Sequence, residues 1–329
     1  MNFYRIILII VYAIAACTPY KEKTFGTIER IDPAIDSIIS KEAKVEILAE
    51  GFEWSEGPVW VYSQNMLLFS DVPKNIIYKW TEAKGAEVYL TPAGYTGDPS
   101  IKAEGSNGLL LDDEGNLVLC QHGDRRLAVM NASIDSPKPD FTSIADRYHG
   151  KKFNSPNDAV FRNYNFYFTD PPYGLPKQME DPTKEISFQG VYVAKAEGGI
   201  VALVDSLTRP NGLAFLPNKK TLIVANSDPF KAIWYAFDLT ENDSVTQARV
   251  FYDATENTKT EKGLPDGLKI DANGNVFATG PGGVWIFNSD GKVLGKIKIP
   301  EATSNCALVD GDSTLYVTAD MYLLRIKLR

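Results

Sequence analysis

The chain has 329 residues, of which 44% are hydrophobic and 11% aromatic, so it can bury a sizeable core. Its formal net charge of -8 and the lack of a long basic run argue against nucleic acid as a partner. With three Cys, two His and no Cys-x-x-Cys pair, the chain also lacks the residues of a usual Cys/His zinc site.

The chain begins with a segment typical of secretion. An apolar run from Ile6 to Ala16 follows Arg5 and is too short to span a bilayer comfortably. Small residues precede Cys17, as they do in bacterial lipoprotein signals, in which this Cys is acylated and becomes the new N-terminus. An ordinary signal peptide with a chance Cys is the alternative.

These features predict where the protein resides. Residues 1–16 are expected to be a lipoprotein signal peptide, Cys17 to be the lipidation site, and residues 17–42 to be a polar tether. We therefore expect an exported protein that is lipid-anchored to a bacterial membrane, in the periplasm or at the cell surface. The lipid anchor would be its only contact with the membrane.

Beyond the tether, one pattern occurs six times. A polar residue opens a short apolar strand, and a turn and a second apolar strand follow. The opening residues are Glu56, Asn107, Asn157, Asn211, Asp266 and Asn305. They lie roughly 40 to 55 residues apart, a period typical of β-propellers and other repeat arrays.

The distribution of strands predicts how the repeats close into a ring. The first five repeats each have room for four short strands, whereas the sixth ends with its third strand at 322–328. An unused strand at 43–49 precedes the first repeat, and pairing it as the outer strand of the sixth blade leaves no free edge. We therefore predict an all-β fold, a six-bladed β-propeller over residues 43–329 that is closed by an N-terminal strand in the last blade.

The repeat also brings the six opening residues together. In a propeller the innermost strand of each blade lines the axis, so these oxygen-bearing side chains are expected to converge at one mouth of the channel. The alternative is that the Asn-Gly and Asp-Gly pairs only make turns. A turn role does not explain Glu56, because Glu is a poor turn former and yet occupies the same place.

Converging oxygens of this kind suit a metal ion. Carboxylate and amide oxygens are hard donors that prefer Ca²⁺ or Mg²⁺, and one divalent ion would offset the repulsion between Glu56 and Asp266. The same ion can polarise a carbonyl or phosphoryl oxygen and acidify a water. The constellation therefore predicts metal-assisted hydrolysis, with a purely structural calcium ion as the alternative.

Four motifs resemble those of the gluconolactonase/regucalcin-like (senescence-marker-protein-type) lactonase family. They are 55–60 (SEGPVW), 154–158 (NSPND), 209–213 (RPNGL) and 264–268 (LPDGL), and they fall in the family's order and spacing. The resemblance covers the chain from about residue 45 to its end. It implies an enzyme that hydrolyses sugar lactones, while a related branch of the family cleaves organophosphates.

The resemblance also implies roles for the opening residues. Glu56, Asn211 and Asp266 would bind one divalent cation, with Ca²⁺ expected first and Mg²⁺, Mn²⁺ or Zn²⁺ as alternatives. Asn157 would lie at the metal or touch the substrate, and Asp266 would double as the catalytic carboxylate. Animal members carry an Arg where this chain has Ser155, so substrate recognition need not match theirs.

Further residues are candidates for substrate binding. Asn107 opens the second repeat, and His122, in a stretch similar to bacterial members, could bind a substrate hydroxyl or relay a proton, or be only structural. Arg125 could meet a carboxylate product or form a surface salt bridge. Tyr173 could wall the pocket or belong to a rigid Pro-Pro turn.

Together these observations predict a metal-dependent lactonase, a carboxylic ester hydrolase. It would open a sugar-type lactone through a metal-polarised carbonyl and an activated water, and its partner would be a small-molecule lactone or ester. One alternative is a non-catalytic, calcium-stabilised propeller that binds carbohydrate or protein. A phosphotriesterase-like or arylesterase-like activity is the other.

The predicted lipid anchor can be tested at Cys17. Cys17→Ser should block acylation and release the protein from membranes, because a thioether-linked lipid needs the Cys sulfur. The measurement is the fraction of protein that sediments with membranes, with the melting temperature as the control for folding. Membrane retention of a folded Cys17→Ser protein would show that the lipoprotein prediction is wrong.

Overall fold

The computed structural model describes residues 25–329, so the predicted signal peptide, Cys17 and the first part of the tether lie outside the described residues. Two strands precede the first blade, namely β1 (Thr27–Arg30) and β2 (Val45–Glu50). Short 3₁₀ helices lie at Pro33–Ser37, Tyr62–Gln64, Val72–Lys74, Gln178–Glu180 and Thr255–Lys259. Between residues 25 and 329, no helix has the length and apolar character needed to cross a membrane.

The first three blades are antiparallel sheets of four strands each. Blade one contains β3 (Ser55–Val61), β4 (Met66–Asp71), β5 (Ile76–Thr81) and β6 (Gly85–Leu90). Blade two contains β7 (Ser106–Leu111), β8 (Leu117–Gln121), β9 (Arg126–Met130) and β10 (Phe141–Ala145), and a small hairpin of β11 (Arg147–Tyr148) and β12 (Lys151–Lys152) follows it. Blade three contains β13 (Ala159–Arg162), β14 (Asn165–Asp170), β15 (Gln189–Ala194) and β16 (Ile200–Leu207).

The remaining blades have the same antiparallel order. Blade four contains β17 (Pro210–Phe215), β18 (Thr221–Asp228), β19 (Lys231–Leu239) and β20 (Val245–Asp253). Blade five contains β21 (Leu268–Ile270), β22 (Val276–Gly280), β23 (Gly283–Phe287) and β24 (Val293–Lys298). Blade six contains β25 (Thr303–Val309), β26 (Thr314–Ala319) and β27 (Tyr322–Lys327).

The six blades form a closed ring, as predicted. The first strand of each blade contacts the first strand of the next, and β25 contacts β3. Strand β2 pairs antiparallel with β27, with Val45 opposite Ile326 and Glu50 opposite Tyr322. The N-terminal strand therefore supplies the fourth strand of blade six, and the predicted closure of the propeller is confirmed.

Hydrophobic clusters between neighbouring blades hold the ring together. Successive side chains of a strand point to opposite faces of the sheet, so in β4 Leu67 packs toward blade six and Leu68 toward blade two. Both are fully buried. Central strands therefore read as continuous apolar runs rather than as alternating ones, because both faces of each blade are covered.

Residues 25–42 differ from the prediction of a polar tether. Strand β1 adds to the outer edge of blade five, where Ile28 lies opposite Ile297. Ile35 and Ile39 are fully buried in the cluster between blades five and six. The tether prediction is therefore wrong for these residues, because a few isoleucines spaced among charged residues are enough to fill a groove that the sequence alone does not reveal.

Two isoleucines of this segment allow a matched test of its packing. Ile35→Ala should lower the free energy of unfolding by about 2–5 kcal/mol, as other buried Ile-to-Ala changes do. Ile31→Ala should change it by less than about 0.5 kcal/mol, because Ile31 is 54% exposed. Urea unfolding of the full chain measures both values. Equal stability of the two variants would mean that the segment does not pack on the propeller.

Candidate functional site

A central pocket of about 460 Å³ lies where the innermost strands begin. The opening residues of five repeats line it: Glu56, Asn107, Asn157, Asn211 and Asp266. Apolar wall residues include Trp54, Val72, Pro73 and Leu264. The repeats thus bring oxygen-bearing side chains from five different blades into one cavity large enough for a small molecule.

Equivalent backbone bonds fix these opening residues. Asn157 donates its backbone N–H to Thr169 O at 2.9 Å, and Asp266 donates to Thr279 O at 3.0 Å. These are the same bonds in blades three and five, from the residue two positions before the innermost strand to the second strand. Asn157 and Asp266 therefore start from equivalent backbone positions in their blades, and both side chains line the pocket.

The glycine after an opening residue permits close approach between blades. A Cβ at Gly212 would lie 2.3 Å from Asp266 O, and a Cβ at Gly57 would lie 2.2 Å from Asn107 O. Gly57 also has a φ of 55°, in the left-handed region that favours glycine. The Asn-Gly pairs are therefore explained by contact between innermost strands, not by tight turns alone.

Four oxygens of the pocket are buried without a hydrogen-bond donor from residues 25–329. They are Asn107 Oδ1, Asn157 Oδ1, Asn211 Oδ1 and Asp266 Oδ1. Buried polar atoms are normally hydrogen-bonded, and leaving one unpaired costs about 1–3 kcal/mol. Four unpaired acceptors in one pocket therefore indicate a site that is built to receive a cation or several donors.

Burial and mutual repulsion disfavour ionisation of the carboxyl groups of the pocket. Glu56 is 2% exposed, and its Oε2 accepts from Gly57 N at 2.7 Å and from Asn305 Nδ2 at 3.2 Å. Burial, followed by the charge of Asp158, raises the pKa of Glu56 to about 8. Burial, followed by the charges of Glu56 and Asp158, also raises the pKa of Asp266 well above its usual range. Without a nearby positive charge, Glu56 and Asp266 do not readily ionise at the same time.

The donor set fits a divalent cation. Carboxylate and amide oxygens are the ligands that hard cations prefer, and the unpaired oxygens of Asn157, Asn211 and Asp266 are of this kind. Glu56 adds a second carboxylate to the same pocket. These four residues could hold the ion that the sequence pattern predicts, and Asn107 presents a further unpaired oxygen beside them.

Blade six departs from the predicted alignment by one residue. Gly108 N donates to Asn157 O at 2.8 Å, and the equivalent bond runs from Gly267 N to Ser304 O at 2.7 Å. Ser304 therefore occupies the position that corresponds to Asn157, and Asn305 lies one residue further along the strand. The prediction that Asn305 opens the sixth repeat at this level is wrong, because the sequence Asn-Cys only resembles the Asn-Gly pairs of other blades.

Asn305 lies beneath the pocket and bridges two carboxylates. Its Nδ2 donates to Glu56 Oε2 at 3.2 Å and to Asp158 Oδ2 at 3.3 Å. Asp158 is 3% exposed, and burial raises its pKa while the charge of Lys269 lowers it. Sequence reasoning missed Asp158, although it directly follows Asn157 at a place where four other repeats have Gly.

His122 and Tyr173 both line the central pocket, as predicted from their loops. His122 is 1% exposed, with Nδ1 2.8 Å from Glu104 Oε2 and Nε2 3.5 Å from Asn157 Nδ2. Tyr173 donates its hydroxyl to Ser227 O at 2.9 Å, so its ring is held as part of the wall. Burial raises the pKa of Tyr173 to about 12.

Sequence reasoning singled out Arg125 to meet a carboxylate product, but this residue lies outside the central pocket. Arg125 lies in a neighbouring cavity of about 520 Å³, where it donates to Phe153 O at 2.6 Å and to Thr183 O at 3.0 Å. Arg209 lines the central pocket instead, with its guanidinium 6.0 Å from the centre of the Tyr173 ring. The signal for Arg209 was its place two residues before Asn211 in a motif already singled out.

The site can therefore bind a small polar molecule next to a cation. The oxygen donors line this pocket together with His122, Tyr173 and Arg209, which offer further contacts to a ligand. A cation at the oxygens would lie beside the carboxylate of Asp266, which lines the same pocket. Hydrolysis of an ester-type bond needs these elements, namely an electrophilic centre, a base and a shaped pocket.

Comparison with known proteins identifies relatives of this chain. The family model described as SMP-30/Gluconolactonase/LRE-like region matches residues 54–320. A gluconolactonase of Zymomonas mobilis subsp. mobilis is 36% identical over 313 residues, which cover 92% of this chain and 86% of the relative.

Solved structures agree at the level of the fold. The structure of a gluconolactonase from Xanthomonas campestris matches with a TM-score of 0.80 and 28% identity, covering 95% of this chain and 99% of its own. A regucalcin from Agrobacterium tumefaciens, described as a calcium-binding protein, matches with a TM-score of 0.66 and 17% identity, covering 86% and 94%. The second likeness concerns the fold alone. By the match of the family model and the identity to its relatives, the chain belongs to the SMP-30/gluconolactonase/LRE-like family.

Proposed function

We propose that this protein is a metal-dependent lactonase that opens a sugar-type lactone by hydrolysis. The observation that carries the proposal is the set of buried, unpaired oxygens of Asn157, Asn211 and Asp266 in one pocket with Glu56. The relatives named gluconolactonase support the substrate class. They do not favour the alternatives of a non-catalytic binding propeller or a phosphotriesterase-like or arylesterase-like enzyme.

In this proposal Glu56, Asn157, Asn211 and Asp266 hold the cation. Bound there, a divalent ion would polarise the lactone carbonyl and help an attacking water to ionise. Ca²⁺ is the first candidate, because amide-rich oxygen sites suit it. Mg²⁺, Mn²⁺ and Zn²⁺ are the alternatives to test, since oxygen ligands accept all of them.

Asp266 is the proposed general base. Glu56 is nearly inaccessible and its Oε2 already accepts two hydrogen bonds. Asp266 lines the pocket, and its buried Oδ1 has no hydrogen-bond donor among residues 25–329. Its carboxylate can therefore take the proton of the attacking water, and the protonated form can return it to the alkoxide oxygen that leaves when the ring opens.

Other residues of the pocket wall would bind the substrate hydroxyls. Asn107, Asn157 and His122 supply polar atoms to the pocket wall, and Tyr173 supplies a ring face. Arg209 can hydrogen-bond a lactone oxygen or the carboxylate of the opened product, because a guanidinium offers several fixed donors. These contacts would orient the carbonyl carbon toward the water that Asp266 activates.

Export and lipid anchoring complete the proposal. They depend on residues 1–17, and the Cys17→Ser comparison tests them independently of activity. The lactonase would then act on lactones outside the cytoplasmic membrane.

Asp266→Asn separates the role of base from the role of ligand. Asn keeps the shape and an oxygen but cannot accept the proton, so metal should bind more weakly while saturation stays possible. At saturating Ca²⁺, kcat for an aldonolactone should remain about 10² to 10⁴ lower, the usual contribution of a general base. Calorimetric titration confirms occupancy in the same samples. Recovery of near wild-type kcat at saturation would make Asp266 a ligand only.

Asn211→Asp is the matched control for that substitution. It adds a carboxylate to the same donor set and removes no base, so Ca²⁺ should bind at least as tightly. Its kcat at saturation should therefore lie far above that of Asp266→Asn. If both variants lose kcat alike, the loss comes from disturbance of the cation site rather than from a missing base.

The raised carboxyl pKa values predict how the cation affects stability as the pH changes. The folded-state pKa of Glu56, about 8, lies above the usual Glu value, so folding favours its protonated form. Metal-free protein should then lose stability as the pH rises toward that value. Ca²⁺ binds the ionised form, so it should raise the melting temperature more at about pH 9 than at about pH 6.

Thermal melts with chelator and with Ca²⁺ at both pH values measure this difference. Glu56→Gln is the control, because it removes one of the titrating groups and should reduce the pH dependence of the metal-free protein. An equal effect of Ca²⁺ on the wild type at both pH values would contradict the proposed site.

A further inference from the structure

Three side chains form a line from the rim of the central pocket to its oxygen donors. Glu104 is at the rim, with a side chain that is 40% exposed, and its Oε2 lies 2.8 Å from His122 Nδ1. His122 Nε2 lies 3.5 Å from Asn157 Nδ2. His122 and Asn157 are only 1% and 2% exposed. The line therefore connects solvent to a residue of the proposed cation site.

The surrounding chain holds the imidazole in place. His122 N donates to Gly105 O at 3.1 Å. A Cβ added at Gly174 would lie 2.6 Å from His122 Cβ and 2.8 Å from Ser155 Cβ, so the loop that carries Gly174 packs directly on the His122 side chain. Since the ring has little room to move aside, its two nitrogens present fixed partners to Glu104 and Asn157.

The carboxylate determines which ring nitrogen carries the proton. An ionised carboxylate only accepts hydrogen bonds, so Glu104 favours a proton on His122 Nδ1. Nε2 of the neutral ring then carries a lone pair and can only accept a hydrogen bond. Its donor must therefore be the NH₂ group of the Asn157 amide. The amide oxygen is consequently turned away from His122, and this oxygen is one of the unpaired acceptors of the pocket.

We infer that Glu104 and His122 are positioning residues that orient the Asn157 amide so that its oxygen faces the cation. The inference rests on the proposed function, since it assigns these two residues to the proposed cation site. The backbone of Asn157 is already fixed through Thr169 O and Gly108 N, so rotation of the amide is the freedom that remains. A flipped amide would direct NH₂ hydrogens at the cation and place its oxygen against the Nε2 lone pair.

The ring proton can be observed directly. The chain has two His, so ¹⁵N-labelled imidazoles give two sets of NMR signals that His122→Gln assigns. Metal-free wild type should show His122 with its proton on Nδ1. In Glu104→Ala the proton should shift toward Nε2, because nothing then favours Nδ1. An unchanged proton position in Glu104→Ala would overturn the inference.

Calcium affinity tests the consequence for Asn157. Changes in residues that support a metal ligand typically weaken binding by about 10 to 100-fold, so Glu104→Ala should raise the Kd for Ca²⁺ by that order. Glu104→Gln, which removes the charge but still offers an oxygen to Nδ1–H, should keep more of the affinity. If loss of a nearby negative charge were the cause, Ala and Gln would weaken binding equally.

A double-mutant cycle shows whether the effect passes through Asn157. In an Asn157→Ala background, Glu104→Ala should cause no further change in the Kd for Ca²⁺, because no amide remains to be turned. An effect that persists in this background would overturn the inference. His149→Asn, at the exposed second His, is the matched control and should leave the Kd unchanged. Melting temperatures of all variants check that each is folded.

The outcomes separate this inference from the proposed activity. If wild type binds Ca²⁺ and obeys the cycle but opens no aldonolactone with any tested metal, the positioning role stands and the lactonase proposal fails. If wild type opens lactones and Glu104→Ala binds Ca²⁺ like wild type, the activity stands and the positioning role fails. Absence of divalent-cation binding by wild type would overturn both.

Discussion

The close approach of the six innermost strands is the constraint on which the rest of the structure depends. At Gly212 and Gly57 a single added carbon would overlap the backbone of the next blade. Hydrophobic clusters between blades, such as the one that contains Leu67 and Phe69, hold the strands at this distance. Side chains that precede the glycines therefore share one small volume, whatever their charge.

The functional site is a consequence of that geometry. Buried carboxyl groups such as Glu56 and Asp266 would ionise more readily in water, as their raised pKa values show, yet the blades hold them together. The unpaired amide oxygens beside them add a further free-energy cost, because buried polar groups without hydrogen bonds destabilise the fold. A fold tolerates such groups when the remaining interfaces stabilise it. Buried polar groups without partners are therefore commonly found at binding sites.

Repetition in the sequence was enough to predict the six blades, the closing strand and five of the oxygen-bearing residues of the pocket, because each depends on a local pattern that recurs. Repetition was not enough where a shift of one residue determines which side chain occupies the opening position, as with Ser304 and Asn305 in blade six. Burial of Ile35 depends on a groove between two blades that are far apart in sequence from it. Glu104 had no signal at all, since its role follows only from its contact with His122.

The balance of charge explains why most of the donors are amides. Burial raises the pKa of Asp158, and the positive charge of Lys269 counters this effect beneath the pocket. Lys269 can therefore offset one carboxylate, and a divalent cation can offset the other two, Glu56 and Asp266. A further carboxylate in place of Asn157 or Asn211 would bind the cation more strongly but would leave a buried charge uncompensated. Neutral oxygens complete the coordination without that excess, and Asp266 stays free to gain and lose a proton while the charge around it remains nearly balanced.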